Sequence, residues 1–205
     1  MSITNYTELK TAVADWLNRD DISDARLSDF VSFAENHIYH QLRIPTMERV
    51  VLLDTDVEGK AYIPADFLEA RDVFFNDTPL DRISLTDLMT RGYAAGKPQV
   101  FARESGLLTF WPNPGDTTDT DDELRMIYYS EPERLSATNA DNSVFLLAPD
   151  LYLYGALVEG GVYVGMADDK VGRWKAKFTE LMDRLTGHAR QAETSGSTAT
   201  VQSAY

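Results

Sequence analysis

Three histidines and a surplus of carboxylates are the residues of this chain with the most obvious chemical potential. His37 and His40 are three positions apart, which is the spacing of a metal-binding pair on a helix, but no third ligand accompanies them. His188 falls in the last turn of a predicted helix, where a positive charge interacts favourably with the helix dipole. The chain has no cysteine, which excludes disulfides and thiolate sites. We therefore predict no metal, no cofactor and no catalytic residue.

The acidic residues are densest in the segment Asn113–Glu123, which contains no basic residue. Its order from Asp116, DTTDTDDE, does not match the D-x-D-x-D-G pattern of a calcium loop. Paired carboxylates that act in catalysis need burial to separate their pKa values, and this segment has almost nothing to bury. We predict an exposed loop whose candidate functional residues are its acids: Asp116, Asp119, Asp121, Asp122 and Glu123.

Composition limits the class of protein. The chain has 205 residues, of which 43% are hydrophobic and 25% charged, and this predicts one globular domain or two closely packed lobes. The formal net charge of -14 argues against binding nucleic acid through phosphate neutralisation. The surplus of acidic residues either keeps the protein soluble or faces nucleic acid that must pass the protein without binding to it. Composition alone favours the first interpretation.

The run Leu151–Met166 (LYLYGALVEGGVYVGM) is the segment around which the chain is organised. Pro149 and Asp150 suit the first turn of a helix, and the helix is apolar on all sides, with Glu159 as its only charge. The run is shorter than the roughly 18 uncharged residues that a membrane span needs. We therefore predict a central helix without membrane contact, covered by the rest of the chain, by other copies of it, or by both.

Glycines inside this helix need an explanation, because each costs a helix interior roughly 1 kcal/mol relative to alanine. That cost is tolerable where a second backbone approaches closely. The alternative is a kinked, poorly optimised core helix. The predicted oligomer or bundle contacts are the helix's apolar stripe and its glycines: Leu151, Gly155, Val158, Gly161, Val162 and Gly165.

The other elements predict an α+β fold. A helix hairpin occupies residues 1–45, a β-rich insertion with one short helix occupies 46–147, and a second helix hairpin at 148–190 completes a helical bundle. Antiparallel hairpins are expected from Arg49–Leu53 with Lys60–Ile63, from Glu69–Phe75 with Thr78–Ile83, and from Gln99–Arg103 with Leu107–Trp111. The short helix is Leu85–Arg91, and Leu124–Tyr129 is a further strand.

Residues 191–205 (QAETSGSTATVQSAY) form an extended tail in this prediction. Serine, threonine, alanine and glycine with one carboxylate cannot bury enough surface to order themselves. We expect the segment to dock on a partner, with Val201 and Tyr205 as its anchors.

Several segments together resemble a phage head-to-tail adaptor, also called a connector or head-completion protein. The resemblance is to the adaptor rings of short-tailed phages, the group related to tail tubular protein A, and it covers residues 1 to about 185. The segments that carry it are TELKTAVADWLNRDD with FVSFAENHIYHQLRIPTME, AYIPADFLEARDVFF, GKPQVFARESGLLTFWPNPG, and LRMIYYSEPERLSATNADNSVFLLAPDLYLYGALVEGG.

The resemblance implies a structural protein of the virion neck, made in the host cytoplasm. Such adaptors form a dodecameric ring under the portal, with a wall of helical bundles and a β-rich part that receives the nozzle or tail tube protein. Their C-terminal segment reaches the portal protein, which would make Val201 and Tyr205 portal contacts. Genomic DNA passes through the ring without specific binding, and the Asp116–Glu123 loop would meet either the lumen or the next tail ring.

Two alternatives remain open at this point. The chain could be another virion part, such as a tail-completion or baseplate component, because only its neighbours would differ. It could also be a soluble acidic enzyme with an unrecognised carboxylate site, which predicts a concave pocket with buried carboxylates of shifted pKa.

Overall fold

The computed structural model describes residues 3–118 and 121–194, apart from the side chains of residues 192–194. Within this range the protein is α+β, with helices and two β-sheets. The chain divides into a helical unit, Met1–Met47 with Pro132–Tyr205, and a β unit, Glu48–Glu131. The helices are α1 (Tyr6–Leu17), α2 (Asp24–Gln41), α3 (Leu85–Thr90), α4 (Ser143–Leu147), α5 (Pro149–Tyr163) and α6 (Asp168–Thr194). The strands are β1 (Glu48–Leu53), β2 (Lys60–Tyr62), β3 (Phe67–Phe75), β4 (Thr78–Pro79), β5 (Asp81–Arg82), β6 (Val100–Glu104), β7 (Leu107–Trp111) and β8 (Leu124–Ser130).

The two predicted N-terminal helices are confirmed. Asn5 Oδ1 accepts a hydrogen bond from the backbone N–H of Glu8 (2.9 Å) at the start of α1. The Glu8 carboxylate accepts in turn from the N–H and the hydroxyl of Thr4 (2.7 and 2.8 Å), the residue before the N-cap. α2 follows Ser23, which caps it, and a 3-10 turn begins at Pro45 soon after it ends.

The C-terminal part differs from the prediction at both of its boundaries. α4 lies within the range assigned to the β-rich insertion, and residues 132–147 belong to the helical unit. Asn142 starts α4 by accepting a hydrogen bond from the N–H of Phe145 (2.9 Å). α6 continues to Thr194, into the predicted tail, because its apolar stripe does not stop at His188: Ala189 is also buried.

α5 is the central helix of the helical unit, as predicted. α1, α2, α4 and α6 all pack against it, and Leu151, Tyr152 and Leu157 are fully buried. Burying an apolar side chain of this size stabilises a fold by roughly 1.5–3 kcal/mol. Much of the cover that α5 needs therefore comes from its own chain.

The β unit holds a second apolar core between two four-stranded sheets, ordered β1-β8-β3-β4 and β2-β7-β6-β5. Every neighbouring pair is antiparallel except β5 and β6, which are parallel. Both sheets contribute side chains to the core, among them Val73, Phe75, Leu108, Phe110 and Met126.

The predicted hairpin of Arg49–Leu53 with Lys60–Ile63 is wrong. β1 pairs with β8, from Glu48 opposite Tyr129 to Leu53 opposite Leu124, whereas β2 pairs with β7 in the other sheet. The turn residues Glu58-Gly59 mark where the chain reverses direction, but they do not specify the strands with which β1 and β2 pair. Burial of β1 and β2 against the shared core decides that pairing.

The other two hairpins are confirmed with changes. β3 pairs with β4 across Asn76 and Asp77, both at positive φ (47° and 63°), as a two-residue hairpin turn requires. The predicted strand Thr78–Ile83 is divided at Leu80, which enters the core while β5 joins the other sheet. β6 pairs with β7 as expected, but Ser105 rather than Gly106 takes the left-handed conformation (φ 58°). α3 begins at Leu85 as predicted, ends at Thr90 and is capped by Ser84.

Candidate functional site

Glycines on α5 allow other helices to approach its backbone closely. A Cβ on Gly155 would lie 2.8 Å from the Cβ of Ala34 on α2 and 3.1 Å from the Phe178 ring on α6. A Cβ on Gly160 would lie 2.7 Å from a methyl carbon of Leu17 on α1. Real Cβ atoms essentially never come within 3.0 Å of another heavy atom. These close approaches occur between helices of one copy of the chain.

The two remaining predicted glycine contacts have different environments. A Cβ on Gly161 would lie 2.9 Å from the indole of Trp174 on α6, so this glycine also accommodates a neighbouring helix. Gly165 lies beyond the end of α5 at φ 68°, and a Cβ there would meet nothing within 4 Å. The N–H of Met166 donates to the carbonyl of Gly161 (2.9 Å), which is the hydrogen bond of a glycine-terminated helix. Gly165 therefore serves the backbone of its own helix end.

The apolar members of the predicted stripe extend from the core to the surface. Leu151 is fully buried, Val158 is half-buried, and Val162 is 68% exposed. On α5, Gly155 and Val158 line a groove of about 320 Å³, and Val162 lies one turn beyond Val158 on the same helix face. We call this surface the α5 groove; it is lined by His37 and Gln41 of α2, Gly155, Val158 and Glu159 of α5, and Lys175, Phe178 and Thr179 of α6.

The α5 groove has an apolar floor and charged edges. His37 Nε2 lies 3.5 Å from a carboxylate oxygen of Glu159, across the boundary between α2 and α5. Lys175, on the opposite edge, forms no ion pair with any residue that the structure describes. Such a surface suits contact with a protein element that has its own apolar side chain and a negative charge.

A buried polar cluster, which sequence reasoning missed, holds the helical unit together. The Glu35 carboxylate, in a residue only 1% exposed, accepts from the backbone N–H of Leu135 (2.9 Å) and the hydroxyl of Tyr39 (3.2 Å). The Tyr39 and Tyr152 hydroxyls are 3.1 Å apart. Asn142 donates to the Tyr39 hydroxyl (2.9 Å) and accepts from that of Tyr152 (3.1 Å).

This buried polar cluster stabilises the packing of the helical unit. Burial raises the pKa of the Tyr39 and Tyr152 hydroxyls well above the ordinary tyrosine value, so both stay neutral hydrogen-bonding groups. The hydrogen bonds of this cluster join α2 and α5 to the segment before α4, so the cluster has a structural role. Glu35, Tyr39 and Tyr152 each lie at helical spacing from buried apolar residues of their own helix. This spacing is the one sequence signal that could have identified them. Their pairing across the chain could not be read from sequence.

The acidic loop is fastened to the β unit through its side chains. The hydroxyl and N–H of Thr118 donate to Asp116 (2.7 and 3.0 Å), which holds the pKa of that carboxyl below its usual value. Asn76, in the β3–β4 turn, donates to Asp122 (2.6 Å) and accepts from the N–H of Glu123 (2.7 Å). The loop thus lies beside the β3–β4 turn, a proximity that the sequence did not indicate.

The described acids of the loop are exposed as predicted, but residues 113–115 are half-buried and Thr117 is buried. Asp116, Asp121, Asp122 and Glu123 are exposed, whereas Thr117 is buried and its hydroxyl accepts from the N–H of Thr55 (2.9 Å). The expectation that this segment has almost nothing to bury was therefore too strong.

Three of the predicted site residues lie outside the described part of the chain. They are Asp119 of the acidic loop and the proposed docking residues Val201 and Tyr205.

Among the described residues, no group of three or more histidine, aspartate or glutamate side chains is placed to hold a metal ion. Among these residues, Glu159 is the one acidic side chain within ion-pair distance of His37. No helix in the same part of the chain is long and apolar enough to cross a membrane.

A family model described as SU10 adaptor protein matches residues 4–202, which is nearly the whole chain. A search of curated proteins finds none that matches.

Proposed function

Because this chain belongs to the SU10 adaptor protein family, we propose that it forms the ring that joins the portal vertex of a phage head to the tail. The match over residues 4–202 is the observation that carries the proposal, since it spans both the helical and the β unit. Family membership makes the chain a phage adaptor, a structural component of the virion. The ring, its dodecameric symmetry and the relation to tail tubular protein A come from the resemblance of the segments.

The helical unit supports a role in the ring wall. α5 is covered by α1, α2 and α6, yet the α5 groove leaves part of it open, and Val162 is largely exposed beside that groove. An apolar surface of this kind favours contact with another protein element. Copies that repeat one heterologous contact form a closed ring when the rotation between them closes.

α6 supports contact with the portal protein through the C-terminal segment. Arg184 lies 3.7 Å from Asp150, so the first turn of α5 is level with this point of α6. The last ten residues of α6, after Arg184, extend about 15 Å further at 1.5 Å per residue. The segment from residue 195, with Val201 and Tyr205, starts from that end, and we assign it to the portal. The β unit, with its acidic loop, is assigned to the nozzle or tail tube protein.

The charge of the chain supports a channel for DNA. A net charge of -14 gives a ring of several copies a strongly negative potential. Like charge suppresses the phosphate attraction that would retain DNA during ejection. The adaptor thus guides the genome without specific binding and without a cofactor.

The proposed function is tested by assembly with the portal protein. The full chain is co-expressed with the portal protein, beside a chain truncated after Thr194, and complexes are isolated through a tag on the portal. We expect the full chain to co-purify and the truncated chain to be largely lost. Failure of the full chain to bind portal, together with cross-links from residues 195–205 to a tail protein, would favour the tail-completion or baseplate alternative.

A further inference from the structure

One side of α5 has no helix over it in the part of the chain that the structure describes. α1, α2 and α6 occupy three sides, and the fourth is the α5 groove, with Gly155 at its floor. Val162, at the open end, is 68% exposed, and Phe33 on the neighbouring stretch of α2 is 49% exposed. An apolar helix needs cover on all sides. The open side is therefore a candidate contact surface for a further protein element.

The outer edge of α1 presents a large side chain of the required type. Trp16 is 46% exposed although its ring packs edge-on against Tyr154 of α5 (5.8 Å between centroids). Asp15, the preceding residue, is exposed and forms no ion pair with any described residue. An exposed tryptophan flanked by a free charge is typical of an interface anchor.

Charge complementarity connects these two surfaces. The stretch Lys170–Lys177 of α6 contains four basic residues and no acid in a chain of net charge -14. Arg173 and Lys177 are paired with Asp169 and Glu180 of the same helix (2.7 and 2.9 Å). Lys170 and Lys175 form no ion pair with any described residue; Lys170 lies over the Trp174 ring (5.0 Å), and Lys175 lines the groove. Asp15, beside Trp16 on the outer edge of α1, is an acid without an ion pair to any described residue, and its charge is opposite to that of Lys175.

We propose that the outer edge of α1, with Asp15 and Trp16, of one copy docks in the α5 groove of the next copy, and that Asp15 pairs with Lys175 across this contact. The inference deepens the proposed function and rests on it, because it names the surfaces by which neighbouring copies meet in the ring. The occupant of the groove is therefore a second copy of this chain.

The positions of the two surfaces make the contact head-to-tail. α5 meets α1 through Tyr154 and Gly160. At about 100° per residue, Gly160 is roughly opposite Gly155 and Val162, whereas Tyr154 lies about 80° from Val162. Each copy thus offers a groove between α2 and α6 and, separate from it, the α1 edge. A contact between two unlike, separate surfaces can be repeated from copy to copy, as a ring requires.

Charge reversal tests the pairing. We expect Lys175→Glu and Asp15→Lys each to weaken association between copies at least about tenfold, because like charges then face each other. Combining both changes in one chain restores assembly, and so does mixing the two single variants, since alternating copies then pair opposite charges at every contact. The readouts are the mass of the free protein and the number of adaptor copies per portal ring, by mass photometry.

Two control variants separate the interface from general charge effects. Lys177→Glu changes the charge of the same helix away from the groove, and Asp21→Lys changes an acid that already pairs with Arg19. Both should assemble as the parent does. Val162→Asp places a charge at the open end of the groove without touching the core and should reduce assembly with an unchanged thermal midpoint.

Cross-linking gives an independent test, because the chain has no cysteine of its own. Asp15→Cys and Lys175→Cys in one chain, treated with a short bis-maleimide on the portal complex, should give a ladder of covalent oligomers. A mixture of the two single variants should stop at dimers. Dimers from one single variant alone would indicate a symmetric contact and overturn the proposal, as would cross-links of position 175 to portal or to residues 195–205.

The two proposals fail in distinguishable ways. Loss of the ladder and of charge rescue, with portal binding intact, removes the α1–groove contact and leaves the adaptor function. Charge rescue of the oligomer mass of the free protein, in a chain that never binds portal, would preserve the contact and remove the proposed position in the virion.

Discussion

Single residues on α5 show how a helix with a low propensity can be the centre of a unit. Its glycines weaken the isolated helix but allow α1, α2 and α6 to lie at distances that a Cβ would prevent. The tightest constraint is at Gly155, where the opposing atom is the Cβ of Ala34, because that atom moves only with the α2 backbone. At Gly160 the opposing atom is the end of a leucine side chain.

Replacement of Gly155 by alanine should therefore destabilise the protein. The gain in helix propensity, about 1 kcal/mol, is smaller than the expected cost of overpacking, about 1–3 kcal/mol. Gly172→Ala is the matched control, since a Cβ on this α6 glycine would meet nothing within 4 Å and the variant should gain stability. Urea denaturation of both variants measures the difference; equal stabilisation by both would contradict the close-approach interpretation.

The buried tyrosines make a second prediction at this scale. Tyr152→Phe removes a hydroxyl that contacts Tyr39 and Asn142 and should cost about 1–3 kcal/mol. Tyr154→Phe, on the same helix, is the control, because its hydroxyl has no hydrogen-bond partner among the described residues. A loss of stability of similar size in both variants would argue against the cluster.

The same cluster predicts a pH dependence. Burial raises the pKa of Tyr39 and Tyr152 above the ordinary value of 10.0. The unfolded chain then releases these protons at lower pH than the folded one, so the free energy of unfolding is unaffected below pH 10 and falls as pH rises beyond it. The fall should be shallower in Tyr152→Phe, as measured by denaturation at a series of alkaline pH values; an identical slope would contradict the assignment.

At the scale of elements, α6 is the feature that changes the interpretation of the C-terminus. The predicted tail began at residue 191, but the helix runs to Thr194 and buries Ala189 on the way. The helix therefore contributes to stability almost to its end, whereas the segment after it has a composition that contributes no core.

Two truncations should separate these roles. Removal of residues 195–205 should leave the thermal midpoint nearly unchanged, while removal of residues 187–205 should lower it, because Ala189 and the last turns of α6 are lost. Differential scanning calorimetry measures both. A large loss of stability from the shorter truncation would mean that the tail packs on its own copy.

At the scale of the whole molecule, the acid is distributed over both units and the acidic loop is only one part of it. The chain carries 33 acidic against 19 basic residues, and many basic side chains are engaged in ion pairs, such as Arg71 with Glu48 and Arg125 with Asp77. The acidic surplus therefore opposes attraction of phosphate by the basic side chains that have no ion pair. Like charge between copies also makes their association sensitive to salt.

The free protein should accordingly show no retardation of double-stranded DNA in a gel shift at physiological ionic strength. Assembly into rings should become more favourable from low to moderate salt, because screening reduces the repulsion between copies. Retardation of DNA that weakens with added salt would contradict the passive-channel interpretation.

The sequence determined the local elements of this protein. Helical periodicity and turn residues act over a few positions, which is why the N-terminal helix pair, the start of α3 at Leu85, the central position of α5 and the turn between β3 and β4 could be predicted. The order of segments also carried the resemblance to phage adaptors, and the family match agrees with it at the level of an adaptor protein.

The tertiary structure decided everything that depends on distant partners. Turn residues did not reveal that β1 pairs with β8 and β2 with β7, because two sheets compete for each strand and only a shared core selects the pairing. Helical spacing placed Gly155, Gly161 and Gly165 in the predicted helix Leu151–Met166, but only the packed structure shows that the first two face neighbouring helices and that Gly165 lies just beyond the end of α5. Likewise, the groove between α2 and α6 exists because three helices surround α5 and leave its fourth side open, a property of packing that no stretch of sequence contains.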